Sequence, residues 1–118
     1  MSTSNGDDIR RRSFDFGCKV VGASLTFTRP GAWRVFDQLV ASATSVGANL
    51  EEAKAASSRR EFIRYCEISL REARESLYWL RVCLTVSLLP PECGSLRDEA
   101  DQIVRILTTI VLRSKTRS

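Results

Sequence analysis

The sequence predicts an all-α fold, an antiparallel up-down-up-down bundle of four helices with a long third helix. Three observations carry this. Apolar residues recur in steps of three and four through four segments. Breakers separate the segments, Pro30-Gly31, Ser57-Ser58 and Pro90-Pro91. No strand-like alternation competes with them. The 118 residues make one ordinary domain, and 43% apolar with 27% charged residues is a globular profile.

Residues 1–12 read as a flexible basic N-terminal tail, residues 13–113 as the bundle, and residues 114–118 as a basic C-terminal tail. The first helix is expected over about 13–27, with Ser13 as N-cap and Phe16, Val20, Ala23 and Phe27 on its core stripe. The second spans about 32–55, with Phe36, Leu39, Ala43, Val46, Leu50 and Ala53 inward. It is dense in small residues, Ala41, Ser42, Ser45, Gly47 and Ala48 among them, which lets neighbouring backbones approach closely. The third spans about 59–88, roughly 45 Å at 1.5 Å per residue. Ser58-x-x-Glu61 is a capping-box signature at its start, and the prolines end it. Its core stripe is Ile63, Cys66, Leu70, Ala73, Leu77, Leu80 and Leu84. The fourth starts between Pro91 and Leu96 and runs to about Arg113, with Leu96, Ala100, Ile103, Leu107 and Ile110 inward. Short connections between long helices favour antiparallel neighbours.

The third helix is apolar on a second side. With its core stripe at heptad positions a and d, positions c and f read Tyr65, Ile68, Glu72, Glu75, Trp79, Val82 and Val86. At 100° per residue this stripe points nearly opposite the first, where a lone bundle carries polar residues. Such a stripe marks an oligomer interface; the alternative is that the helix buries both sides within its own chain. Glu72 and Glu75 need partners if buried, either an arginine of a neighbouring subunit or Arg71 at i−4 from Glu75; Glu67 and Arg71 form a similar local pair.

Catalytic chemistry is not legible. There is no histidine, and Cys18, Cys66, Cys83 and Cys93 form no C-x-x-C pair, so neither zinc spacing nor imidazole acid–base catalysis is available. The cysteines read as free thiols packed as small apolar groups. The carboxylate pairs Glu51-Glu52 and Glu72-Glu75 lack the histidines of a di-iron bundle. Glycines are scattered, with no phosphate loop, and Lys19, Lys54 and Lys115 suggest no Ser–Lys arrangement. No enzyme activity, cofactor, metal or small-molecule substrate is expected. Nor is a membrane span or targeting signal apparent, so the expected location is cytoplasmic.

The net charge is +4, yet residues 13–112 carry twelve basic and twelve acidic side chains. The excess therefore sits near the ends, at Arg10, Arg11 and Arg12 and at Arg113, Lys115 and Arg117. Basic ends bind nucleic acid or simply keep a protein soluble. A specific nucleic-acid surface would gather Arg59, Arg60, Arg64, Arg71, Arg74 and Arg81 on one face.

The residues Gln38-Leu39, Ala43, Ser45-Val46 and Asn49-Leu50-x-Glu52, then Ser58-x-x-Glu61-Phe62, Glu67-Ile68, Glu75 and Leu80, resemble the four-helix-bundle family of 23S rRNA intervening-sequence proteins. The resemblance covers about residues 15–112. The chain departs from the family pattern at Val40 and Ala41, where paired arginines are usual, at Gly47 for proline and at Ala53 for glycine; the usual aromatic of the first helix is not matched near Gly17. The resemblance implies a left-handed up-down bundle that assembles as a homopentamer. Related accessory proteins of diversity-generating retroelements form similar pentamers and bind nucleic acid and a reverse transcriptase. Two functional expectations follow: an oligomeric structural or interaction scaffold without a substrate, whose partners are copies of itself and another protein, or an RNA-binding module using arginines displayed on the oligomer.

Overall fold

The computed structural model describes residues 5–117. Its element order is α1 (Asn5–Phe27), α2 (Trp33–Lys54), α3 (Arg59–Thr85), a 3₁₀ turn (Pro91–Cys93) and α4 (Gly94–Thr116). Each helix packs on its chain neighbours, and α1 closes the bundle against α4.

Pairs across the seams have residue numbers that run in opposite directions, which makes every neighbour antiparallel. Ser69 meets Val46 and Ser76 meets Ser42 across α2–α3. Gly17 lies by Ala43 and Thr44, and Gly47 by Ser13 and Phe14, across α1–α2. Arg59 reaches Arg117, and Lys115 pairs with Glu67, across α3–α4. Arg12 pairs with Glu99 at one level of α1–α4, and Ile9 shares a surface cleft with Ile110 at another. The topology is up-down-up-down.

The core is a continuous apolar column. It is built from Phe16 and Val20 of α1, Phe36, Leu39 and Val46 of α2, Leu70 and Leu80 of α3, and Ile103 and Leu107 of α4. The α2–α3 seam is made of small and polar residues. The Ser69 hydroxyl donates to the Val46 carbonyl at 2.7 Å. The Ser76 hydroxyl lies 3.1 Å from Ser42 Oγ and 2.9 Å from the Glu72 carbonyl. Satisfied hydroxyls cost little to bury, and their small size brings the two backbones close.

Three expectations are corrected. Residues 5–12 are not a tail: they form the first turns of α1, and Ile9 is 2% exposed in the core. Residues 1–4 of the expected tail lie outside the described residues. Ser13 is therefore mid-helix, buried, and its hydroxyl finds no hydrogen-bond partner among the described residues, so it is not an N-cap. At the other end α4 runs to Thr116, so residues 114–116 are helical, and Ser118 lies outside the described residues.

The third correction is the end of α3, at Thr85 and not at Leu88. The Leu88 N–H donates to the Cys83 carbonyl at 2.8 Å and the Ser87 N–H to the Leu84 carbonyl at 3.4 Å. This is the double hydrogen bond of a Schellman cap. It needs a left-handed residue, and Ser87 takes that role at φ 61°. Serine in place of the usual glycine hides the signal. The cap turns the chain so that Leu89 is 1% exposed and closes that end of the core. Arg29 Nη2 donates to the Ser87 carbonyl at 3.2 Å, tying the α1–α2 loop to this cap. That loop turns at Gly31, whose φ of 87° suits glycine.

The N-terminus of α3 follows the capping-box logic. Ser58 Oγ accepts from the Glu61 N–H at 3.1 Å, and the Glu61 carboxylate accepts from the Ser57 N–H at 2.9 Å. Among the described residues no helix is long and apolar enough to cross a membrane, and no three His, Cys, Asp or Glu side chains are grouped to hold a metal ion.

Candidate interaction surface

The outer side of α3 is where the expected interface residues fall, but the helix is rotated relative to the heptad reading. Its buried line is Cys66, Ser69, Leu70, Ala73, Ser76, Leu80 and Cys83. Ile63, Leu77 and Leu84, assigned to the core stripe, are only half-buried. The heptad frame gave serine no place inside, whereas the α2–α3 seam selects it for size. The second stripe consequently lies beside the α2 seam and not opposite the core. Tyr65 and Trp79 are half-buried and pack against the core. Ile68 and Val82 are half-buried outside the core cluster, and Glu75 and Val86 are exposed. α3 thus covers Tyr65 and Trp79 with its own chain and leaves Ile68, Val82 and Val86 outside the core cluster as an apolar strip.

The acids of this strip do not pair with Arg71. Glu75 accepts from Trp79 Nε1 at 3.2 Å, which fixes the indole edge-on to Tyr78 with ring centroids 5.2 Å apart. Glu67 pairs with Lys115 across the α3–α4 seam. The Glu72 carboxyl is pushed above its ordinary range, first by burial and then by the charge of Glu75, with Arg71 partly opposing.

The motif residues divide by role. Glu61 caps α3. Phe62 is half-buried against the core. The Asn49 amide donates to the Ser45 carbonyl one turn back at 2.9 Å, so it serves α2 itself. Gln38 and Glu52 are exposed. The register set by Ser69–Val46 and Ser76–Ser42 carries Gln38, Asn49 and Glu52 along the α3 side of α2, the same flank that carries Tyr65, Glu72 and Trp79.

The six arginines are all exposed. Arg59 donates to the Arg117 carbonyl at 2.7 Å, holding the end of α4. Arg64 stacks on the Tyr65 ring, its guanidinium carbon 6.0 Å from the centroid. Among the described residues, no carboxylate lies within 4.0 Å of Arg60, Arg64, Arg71, Arg74 or Arg81. These five run along the outer and α4-facing side of α3 for about 32 Å. The ion pairs sit elsewhere. Arg12, assigned to a tail, clamps α1 to α4 through two contacts with Glu99, of 2.9 and 2.6 Å, and this raises its pKa.

A second apolar surface was missed. Phe14, Cys18, Val21 and Leu25 follow one another by four, three and four residues on the outside of α1. Phe14 is 68% and Leu25 74% exposed. Beside them Gly17, Thr44, Gly47 and Ala48 floor a groove of about 470 Å³. The spacing was present in the sequence, inside the expected first helix, but the stronger stripe of Phe16, Val20, Ala23 and Phe27 defined the inward side and left this one unread.

The structure is thus that of an α-helical bundle with apolar strips on two faces and a line of exposed arginines along the outside of α3. Residues 7–109 match the 23S rRNA-intervening sequence protein family, and the chain belongs to it. A protein of unknown function from the S23 ribosomal protein family of Bacteroides thetaiotaomicron has a similar crystal structure. Its TM-score is 0.84 at 27% identity, covering 92% of this chain and 98% of that one. No curated protein matches the chain.

Proposed function

We propose that this protein is a non-catalytic, cytoplasmic scaffold that works as a closed homo-oligomeric ring, a pentamer being the form the family resemblance implies. The observation that carries the reading is the apolar strip Ile68, Val82 and Val86 on α3, left outside the chain's own core. A ring other than a dimer needs two different patches on each subunit, one meeting the other head to tail. The strip of Phe14, Val21 and Leu25 on α1 supplies the second.

Sedimentation velocity tests this. The wild-type chain should sediment as one oligomer at micromolar concentration. Ile68→Glu/Val82→Glu and Phe14→Glu/Leu25→Glu should each give monomers. Because each variant keeps one intact patch, mixing the two should restore dimers and nothing larger. A wild-type monomer, or a mixture that stays monomeric, would overturn the reading.

RNA binding is the second reading, and the five unpaired arginines of α3 favour it. Positive side chains without internal partners release counterions on meeting phosphates. The triple variant Arg64→Ala/Arg71→Ala/Arg74→Ala should then lower the salt dependence of binding to a single-stranded RNA by about two units of log–log slope. An unchanged slope, or no salt-sensitive binding by the wild type, removes this reading.

A further inference from the structure

At the end of the bundle where α1 and α3 begin and α2 and α4 finish, the chain leaves a half-open pocket of about 360 Å³. Its floor is apolar: Ile9 and Leu50 are fully buried, and Phe62 and Ile110 turn half-covered faces to it. Cys66 completes the floor, and burial, aided by Glu67, pushes its thiol up to about 11, so it stays neutral there. The rim carries Arg10, Lys54, Arg113 and Arg117. Among the described residues no carboxylate lines the pocket; Glu51 pairs with Arg10 at 3.5 Å from outside the lining.

The helix dipole accounts for only part of this rim. Lys54 and Arg113 sit in the last turns of α2 and α4, where cations offset the negative helix end. Arg10 lies in the first half of α1, where the dipole favours an acid, and Arg117 lies beyond the end of α4. Glu51 offsets Arg10, whereas Lys54, Arg113 and Arg117 bring three like charges to one apolar hollow, and an anion placed among them relieves their repulsion. Beside the pocket, Ser58, Arg59, Phe62, Ser114 and Arg117 line a second hollow at the capped N-terminus of α3, which adds Arg59 to the basic surroundings. The volume falls within the range of small-molecule sites, which combine apolar walls with a few polar groups that fix orientation.

We propose that this end pocket binds a small amphipathic carboxylate, with an acyl-sized apolar body against Ile9, Leu50, Phe62 and Ile110 and its head group among Arg10, Lys54, Arg113 and Arg117. The site is separate from both strips of the proposed ring, so its failure leaves the oligomer untouched and the converse also holds.

Titration calorimetry on the full chain tests it with three probes: decanoate below its micelle concentration, decanol, and inorganic phosphate. Decanoate should bind at least tenfold more tightly than either decanol, which lacks the charge, or phosphate, which lacks the apolar body. Arg113→Glu should weaken decanoate about tenfold or more while leaving decanol unchanged. Ile110→Trp, which fills the hollow, should abolish decanoate binding, with circular dichroism checking that the variant folds. Decanol or phosphate binding as well as decanoate, no decanoate binding at millimolar concentration, or binding indifferent to Arg113→Glu would overturn the proposal.

Discussion

Replacing Ile9 with alanine tests the point at which chain and structure differ most. In a flexible tail the change would be silent. In the structure Ile9 is 2% exposed and belongs to the core cluster, near Leu50 and Ile110 at the bundle end. Truncating a buried isoleucine to alanine costs about 2–5 kcal/mol, set by how far the site collapses. Ile9 floors a half-open pocket, so water and neighbouring side chains reach the space it leaves, and the lower part of that range applies, about 2–3 kcal/mol. Against a typical total of about 5–15 kcal/mol this is a large fraction. Urea unfolding followed by far-ultraviolet circular dichroism measures it, at one protein concentration because the proposed self-association would couple to stability. Arg11→Ala, on the exposed side of the same turn, should change stability by less than about 0.5 kcal/mol. If Ile9→Ala is as small as Arg11→Ala, the first turns of α1 are not docked, and the end pocket loses part of its floor as well.

Three further outcomes follow from local geometry. Gly47→Ala should be neutral or stabilising by up to about 1 kcal/mol, because a Cβ there would meet α1 at an ordinary 3.4 Å, whereas Gly47→Leu should push α1 away and lower the melting temperature. Ser87→Gly should slow unfolding and stabilise by about 0.5–1 kcal/mol, since glycine takes the left-handed cap without strain; a loss in the urea midpoint would contradict the Schellman reading. Glu72→Gln should raise the melting temperature at pH 7. The folded state raises the Glu72 pKa, so it holds its proton more tightly than the unfolded chain, and stability falls as pH rises from the unfolded value through the folded one. The benefit should vanish in acid below the unfolded value, where both variants are neutral; equal curves at every pH would refute the desolvation of Glu72.

How much was legible is clearest in particular helices. In α2, Phe36, Leu39, Ala43, Val46, Leu50 and Ala53 were all placed inside, and all are buried. In α4, Leu96, Ala100, Ile103 and Leu107 were placed inside and are buried, while Ile110 is half-covered at the bundle end. The capping box at Ser58 was readable because hydroxyl and carboxylate spacing directly reports an N-terminus. The end of α3 was not, because the left-handed position holds serine, and Pro90-Pro91 offered a stronger but later stop. Along α3 the heptad reading found Cys66, Leu70, Ala73 and Leu80 and missed Ser69, Ser76 and Cys83.

The sequence by itself determined four helices, their breakers, most of the inward residues and the family, because periodicity and local capping are properties of the chain within a few residues. Tertiary structure alone decided the rest. It folded the first charged residues into α1, since Ile9 has a core to enter only when α2 and α4 supply one. It chose serines for the α2–α3 seam, where close backbone approach outweighs hydrophobicity once each hydroxyl is satisfied. It also brought Arg10, Lys54, Arg113 and Arg117 around one apolar hollow. Those four residues span nearly the whole chain, and no local pattern records that antiparallel packing gathers them at one end.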